Sequence, residues 1–395
     1  MACGSSAATS APTASSAPSA PASGRPALPT LAPPPPPLTF GPGSEQVLPS
    51  GTFALSGDRA YTENAPAEPY PPVTLAEVAL ASGARRTLVT RPPGHVLSDL
   101  LLDGDRLLWA ESWYVHPQPA NGETGGNPNA GQPLLWQIVS YSLTNGILSV
   151  LASGSDSNLP LIGEAASPQP PVLAAAGDRI AYAMDTGTNG CASSTLVVRS
   201  LSTNAVLRSM RTTGYVVQVG LAGQALFYRQ TDDGFAPDSS LLLARSDAGQ
   251  PMQVATLVSH AAMDSESLVW SRSDATDASI WMASPGGGTS GPAAPVRIGA
   301  PSGPVRQPGP TSDIAIGDHL VAWIAWFDTP DAAADSELIV WVPGEAEGRV
   351  VAGLRQPDWV QAQHGMLAWH ESLPLPGHPD THAVPASAVP LDPQP

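Results

Sequence analysis

The chain has 395 residues, and its 34 acidic and 17 basic side chains give a formal net charge of −17 at pH 7. This charge repels phosphate backbones and anionic lipid surfaces, which argues against nucleic-acid binding and polybasic membrane docking. Every basic residue is arginine, so lysine Schiff bases and P-loop lysines are excluded. Two cysteines, Cys3 and Cys191, are too few for a disulfide framework.

Residues 1–37 form the first predicted element, a disordered tether. They are rich in Ser, Ala and Pro, end in five consecutive prolines, and contain too little apolar surface to form a core. Ala-Cys-Gly-Ser-Ser at the start resembles the segment after a bacterial lipoprotein signal, which indicates lipidation of Cys3 and an extracytoplasmic location. The charged and apolar parts of such a signal are missing, so the signal is expected to be truncated. The alternative is a cytoplasmic protein with a chance cysteine.

One hairpin recurs along the rest of the chain, as in "LLDGDRLLWAES" at 101–112 and "AAAGDRIAYAMD" at 174–185. Five of the tight turns contain a glycine at a position that favours positive φ, namely Gly57, Gly104, Gly177, Gly223 and Gly317. The second strand of each copy carries one aromatic residue. These residues are Tyr61, Trp109, Tyr182, Tyr228, Trp270, Trp323 and Trp369.

Six of the seven hairpins are followed by a second pair of short strands. Four antiparallel strands in about 45 residues are typical of a β-propeller blade. The sequence therefore predicts an all-β, seven-bladed propeller over residues 38–373, with six blades as the alternative. Residues 38–48 are expected to complete the last blade and close the ring, and residues 374–395 to be a short disordered tail.

These Gly-Asp turns, each followed by an apolar-aromatic strand, resemble the repeats of TolB-like propellers over about residues 38–372. The resemblance implies a periplasmic or lipid-anchored protein that acts by binding or scaffolding. The family's usual Pro-Asp-Gly turn is present here only as Gly-Asp.

Long connections are predicted on one face of the ring, where the second strand of each blade ends. They include 112–133, 185–194, 229–239, 271–278 and 325–336, with blade links at 154–171 and 299–312. Long loops on a rigid scaffold commonly carry binding sites. We therefore expect function on this long-loop face.

Acidic residues follow the second strands on the same face. A ring of carboxylates there would hold a cation, with calcium as one candidate, or a basic peptide. The alternative is that loops of an acidic protein are simply polar. The carboxylates proposed as binding residues are Glu63, Glu111, Asp185, Asp232, Asp274, Asp328 and Glu371.

The tryptophans at the fixed place in the repeat are expected to pack between blades, because a structural position recurs with the fold. Trp113, Tyr114 and Trp326 fall outside that place and are predicted surface contacts for a partner.

No catalytic motif emerges from the sequence: there is no Gly-x-Ser-x-Gly elbow and no helical histidine pair. We therefore expect a monomeric, extracytoplasmic binding or scaffolding propeller with a protein or peptide partner. The partner is expected to be cationic, with no required cofactor, and the membrane to be reached only through a lipid at Cys3. The alternative is a metal-assisted, lactonase-like hydrolase that uses carboxylates on the channel face.

Overall fold

A computed structural model of the chain describes fourteen stretches, and residues 1–35, with Cys3, lie outside them. The described residues are 36–40, 44–64, 72–115, 133–156, 170–186, 193–231, 239–247, 249–274, 277–285, 294–299, 307–329, 332–345, 347–372 and 381–389. They form strands and a single 3-10 turn, Ala386–Ala388, within one compact unit, Pro35–Pro395. The all-β prediction is confirmed.

The strands are numbered in chain order. Strands β1 to β13 are Gln46–Val47, Thr52–Ser56, Arg59–Asn64, Thr74–Ala79, Arg85–Thr90, Val96–Asp103, Arg106–Tyr114, Leu134–Ser142, Leu148–Asp156, Val172–Ala176, Arg179–Asp185, Ser194–Ser200 and Val206–Arg211. Strands β14 to β27 are Tyr215–Ala222, Ala225–Thr231, Ser239–Arg245, Met252–Met263, Leu268–Asp274, Asp277–Ala283, Val296–Gly299, Gln307–Gly317, Leu320–Thr329, Ala332–Trp341, Arg349–Val350, Pro357–Gln363, Met366–Glu371 and Thr381–Pro385.

The strands pair into antiparallel sheets, which we label A to F. Sheet A is β2–β5, sheet B is β6–β9, sheet C is β10–β13 and sheet E is β21–β24. Sheet D contains seven strands, β14–β20, and sheet F has the order β25-β26-β27-β1. Apolar clusters join A to B, B to C, C to D, D to E, E to F and F to A, so the sheets form a closed propeller ring.

The prediction of seven separate blades is wrong: five sheets are four-stranded blades, and the fourth and fifth repeats share sheet D. The reason is that strand β17 runs from Met252 to Met263 without a loop that would separate the two repeats. Its first half pairs with β16 and its second half with β18, and Val258 is paired on both sides. The change of partner occurs beside Leu257, which has a φ of 59°. The six-bladed alternative, in which the weakest repeat forms no blade, also fails, because five sheets are four-stranded blades and sheet D contains strands of two repeats.

Sheet F closes the ring with both ends of the chain. Gln46–Val47 is its outer strand, as the sequence predicted, but the third strand is Thr381–Pro385. The expectation that residues 374–395 are an unstructured tail is therefore wrong for this stretch. Leu38 does not join sheet F; it forms a parallel bridge to Val351 at the edge of sheet E and is 2% exposed.

The tryptophans at the fixed place in the repeat are core residues, as predicted. Trp109, Trp270, Trp323 and Trp369 are at most 2% exposed and face the preceding repeat. Tyr61 is the exception, because it packs toward sheet B, which follows it. It lies one residue closer to its turn than Trp109 does, and adjacent residues of a strand point to opposite faces.

Four of the five turn glycines have φ between 56° and 61°, as predicted. Gly317 does not. In that turn the positive φ angles belong to Asp318 and His319, so glycine is needed for another reason. A Cβ atom on Gly317 would lie 2.1 Å from the backbone oxygen of Ala362 in sheet F. The strand passes too close to its neighbour for any side chain.

Polar side chains at bulges of three inner strands connect neighbouring repeats. Asp99 on β6 accepts a hydrogen bond from the amide of Leu173 at 2.8 Å. Asp313 on β21 accepts one from the amide of Val360 at 3.0 Å. The side chain of Gln218 on β14 donates a hydrogen bond to the carbonyl oxygen of Ala261 and accepts one from the amide of Ala261, across sheet D. These bonds satisfy backbone groups where β-pairing does not reach.

Candidate functional site

The long-loop face is the side of the ring on which the second strand of each repeat ends, for example at Tyr114 in sheet B. Two of the long loops predicted there are wrong. Strands β18 and β19 continue to Asp274 and Asp277, and β22 and β23 continue to Thr329 and Ala332, so each pair is joined by only two residues. The β-pairing extends to Asp274 and Asp277 in one hairpin and to Thr329 and Ala332 in the other.

Glu111, three residues before the end of the second strand of sheet B, is fully buried. Its Oε1 accepts a hydrogen bond from Nε of Arg91 at 2.8 Å and contacts Nδ1 of His95. Its Oε2 accepts from Nε2 of Gln137 at 2.8 Å. Burial alone would raise the pKa of Glu111, but the bonds from Arg91, Gln137 and His95 outweigh it and leave the pKa below its ordinary value.

The imidazole of His95 is held on its other side by Trp113. The two rings stack with centroids 4.6 Å apart and planes inclined by 10°. Trp113 and Tyr114 are half-buried and pair with Leu135 and Leu134, so both strands of this hairpin continue past Glu111. We call Arg91, His95, Glu111, Gln137 and Trp113 the Glu111 network.

Glu371, in the corresponding place in sheet F, is also engaged. Its Oε2 accepts a hydrogen bond from the amide of Arg355 at 2.9 Å. His382 lies between two carboxylates, with Nε2 3.8 Å from Oε1 of Glu371 and Nδ1 2.5 Å from Oε1 of Glu45. The ring of His382 stacks on Trp369. This group therefore joins the two chain ends that complete sheet F.

Asp185 and Glu63 are half-buried, and burial raises the pKa of both carboxyls. Asp185 accepts a 2.7 Å hydrogen bond from the hydroxyl of Ser194. The carboxylate of Glu63 has no hydrogen-bond partner among the residues that the structure describes. Its side chain faces sheet B, whereas Glu111 faces sheet A, because Glu63 shares the face of Tyr61. The predicted carboxylates therefore point to different sides of their strands.

The remaining predicted residues are Trp326, Asp274, Asp328 and Asp232. Trp326 is half-buried and packs against the core between sheets E and F. Asp274 and Asp328 lie at the ends of β18 and β22, where the backbone alone is described. Asp232 lies outside the described residues.

Sequence reasoning missed Arg91, His95 and Gln137, the residues that surround Glu111. Arg91 and His95 lie in the link between sheets A and B, 20 and 16 residues before Glu111. The sequence signal for these two residues was an Arg and a His in a short link, "TRPPGHV" at 90–96, ahead of the hairpin whose second strand contains Glu111. Their convergence depends on how two blades meet.

Across the described stretches, no three His, Cys, Asp or Glu side chains converge in a way that could hold a metal ion. Among these residues there is therefore no cluster of carboxylates that could supply the metal ligands of the hydrolase alternative. Nor does that part of the chain contain a helix long and apolar enough to cross a membrane.

No protein-family model and no curated protein matches the sequence. The fold is similar to that of a prolyl endopeptidase (TM-score 0.51, 13% identity, 82% of this chain and 45% of that chain). It is also similar to a chain of the mitotic checkpoint complex (0.50, 10%, 91% and 99%). TolB from Acinetobacter baumannii is more distant (0.41, 11%, 75% and 66%). At these identities the likenesses show a β-propeller fold alone.

Proposed function

We propose that this protein is a binding or scaffolding propeller that holds a polypeptide partner on its long-loop face, next to sheet B. One observation carries the proposal. Strands β7 and β8 of sheet B, each nine residues long, stay paired beyond the buried Glu111 and present Trp113 and Tyr114 on that extension.

Aromatic side chains on a rigid element are good binding groups because little conformational entropy is lost when they are covered. Trp113 is fixed by the stack on His95, and His95 is fixed by the buried Glu111. Val115, two residues after Trp113, is 48% exposed. This edge combines a fixed aromatic with accessible apolar surface.

Most of the carboxylates predicted to bind a cationic partner are already engaged within the protein. Glu111 has both oxygens occupied, and Glu371 and Asp185 already accept hydrogen bonds. Among the predicted carboxylates whose side chains are described, Glu63 is the one that remains available to a basic group of the partner. We therefore propose an interface led by Trp113 and Tyr114, with Glu63 as its acidic element.

A photo-crosslinking experiment tests this placement. p-Benzoylphenylalanine replaces Tyr114 in one sample, and Glu266, an exposed turn residue on the opposite face, in a matched control. Each protein is irradiated with the cell-envelope fraction of its own organism. We expect a discrete cross-linked polypeptide from position 114 and none from position 266. Equal cross-linking from both, or none from position 114, would overturn the proposal.

The extracytoplasmic location is proposed from the sequence around Cys3. Its test is metabolic labelling with an alkyne fatty acid, applied to the protein expressed from its own upstream DNA. The wild type should incorporate label in the membrane fraction, and Cys3→Ser should not. Labelling that survives Cys3→Ser would remove the proposed lipid site.

A further inference from the structure

The Glu111 network leaves hydrogen-bonding groups unused at its solvent side. Arg91 donates through Nε, and its two terminal nitrogens have no partner among the described residues. The same holds for Nε2 of His95. The side chains are 17% and 14% exposed, so these groups lie at a partly covered surface rather than in bulk water.

Glu111 fixes the direction of both groups. Its Oε1 is shared by Nε of Arg91 and Nδ1 of His95, which places the guanidinium and the imidazole side by side. A guanidinium bound along one edge keeps its other edge free, and that edge has two parallel N–H groups. With Nδ1 engaged, Nε2 is the imidazole nitrogen left for a ligand, and it donates when the ring is protonated.

We propose that Arg91 and His95 form a site for a carboxylate group of the polypeptide partner, either an Asp or Glu side chain or a chain terminus. The two-pronged edge of Arg91 matches the two oxygens of a carboxylate. Trp113, stacked on His95, offers an apolar wall to the methylene groups that carry the acid. This inference rests on the proposed function and names one chemical group that the partner contributes.

The charge of the site favours a monoanion. Arg91 and Glu111 compensate each other, so the pair by itself brings no net charge to the site. A phosphate dianion would bring a second negative charge close to buried Glu111 in a protein of net charge −17. The partner is therefore expected to present an isolated acid beside its basic residues.

The test is a titration followed by 19F NMR of the full chain labelled with 5-fluorotryptophan, in which Trp113→Phe assigns the resonance of Trp113. The probes are the peptide acetyl-Gly-Glu-Gly-amide, its Gln counterpart and inorganic phosphate. We expect a saturable shift of the Trp113 resonance with the Glu peptide, at least tenfold weaker binding of the Gln peptide, and no comparable effect of phosphate.

Arg91→Lys keeps the positive charge but removes the two-pronged edge, and it should weaken binding of the Glu peptide at least tenfold. Arg355→Lys changes an exposed arginine in the corresponding link before sheet F and should bind like the wild type. If Arg91→Lys does not fold, the double variant Arg91→Gln/Glu111→Gln removes both charges together and should also lose binding.

Binding that is unaffected by either Arg91 variant, equal binding of the Gln peptide, tighter binding of phosphate, or no shift at all would each overturn the carboxylate site. The cross-link from position 114 does not depend on Arg91. A positive cross-link with a failed titration would reject this site and leave the proposed function standing.

Discussion

The carboxylate of Glu111 accepts a 2.8 Å hydrogen bond from Nε of Arg91, a residue of the link that joins sheet A to sheet B. The bond connects the second strand of sheet B to the link through which the chain enters that sheet. Glu111 is fully buried, so the pair contributes to stability as well as to the geometry of the long-loop face.

We predict that Arg91→Met destabilises the protein by roughly 3–5 kcal/mol at pH 7, because it leaves a buried carboxylate without its cation. The double variant Arg91→Met/Glu111→Met should recover most of this loss. Urea unfolding measures both free energies. A double variant as unstable as Arg91→Met would show that the buried charge is not the cause.

The pKa of Glu111 also gives a pH dependence. Because this pKa is lower in the folded protein than in the unfolded chain, the stabilisation is present above the ordinary glutamate pKa and is lost as the pH falls. The difference in unfolding free energy between the wild type and Glu111→Gln should therefore shrink between about pH 5 and pH 3. A difference that stays constant over this range would contradict the prediction.

Asp313 should behave in the opposite sense. Burial raises the pKa of Asp313 to about 6, although hydrogen bonds from Val360 and Ile314 oppose this. The folded state therefore binds more protons than the unfolded chain between about pH 4 and pH 6, and stability falls as the pH rises through that window. Asp313→Asn keeps an oxygen for Val360 but loses the bond from Ile314, and it should still be more stable than the wild type at pH 7, by on the order of 1 kcal/mol.

Chemical denaturation at pH 4 and pH 7 measures this effect. At pH 4 the gain from Asp313→Asn should disappear. The exposed Asp58→Asn variant controls for the loss of one negative charge, and it should change stability by less than about 0.5 kcal/mol at either pH. Equal gains from the two variants would assign the effect to net charge rather than to burial.

Ring closure depends on the segment ahead of sheet A. Leu38 is buried between sheets E and F, so Leu38→Ala should cost about 2–5 kcal/mol. Val47, on the outer strand of sheet F, is 59% exposed, and Val47→Ala should change stability by less than about 0.5 kcal/mol. Deletion of residues 38–48 should open the ring and cause aggregation, visible by size-exclusion chromatography. A deletion that melts like the intact protein would refute this closure.

Gly317 and Gly57 test two different requirements for glycine. Asparagine tolerates positive φ, so Gly57→Asn should cost less than about 1 kcal/mol, because nothing lies within 4 Å of an added Cβ. Gly317→Asn should cost about 1–3 kcal/mol or more, because its Cβ would collide with the backbone of sheet F. Thermal unfolding compares them, and similar losses would mean that sheets E and F separate easily.

The regular repeats were accessible to sequence analysis because the signals are local. A tight turn followed by alternating apolar residues and one aromatic defines a hairpin without reference to distant residues, and the buried tryptophans followed from the same pattern. Tyr61 packs against the other neighbouring sheet because it lies one residue closer to its turn than Trp109 does. A shift of one residue exchanges the two faces of a strand.

The candidate site was less accessible, because its members come from separate elements. Glu111 was selected as an exposed acid, whereas the structure buries it against Arg91, His95 and Gln137. A glutamate near the end of a strand has the same local sequence whether its carboxylate faces solvent or an arginine of the preceding link. Only the packing of one blade on the next distinguishes the two.

The sequence by itself determined an all-β chain of repeated hairpins, the glycines that need positive φ in four turns, and a closing strand supplied by Gln46–Val47. These features depend on residues that are close in the chain. The tertiary structure decided that two repeats share sheet D, that Thr381–Pro385 completes sheet F, and that Glu111 is enclosed. Each of these depends on contacts between segments far apart in sequence, whose energies no local pattern contains.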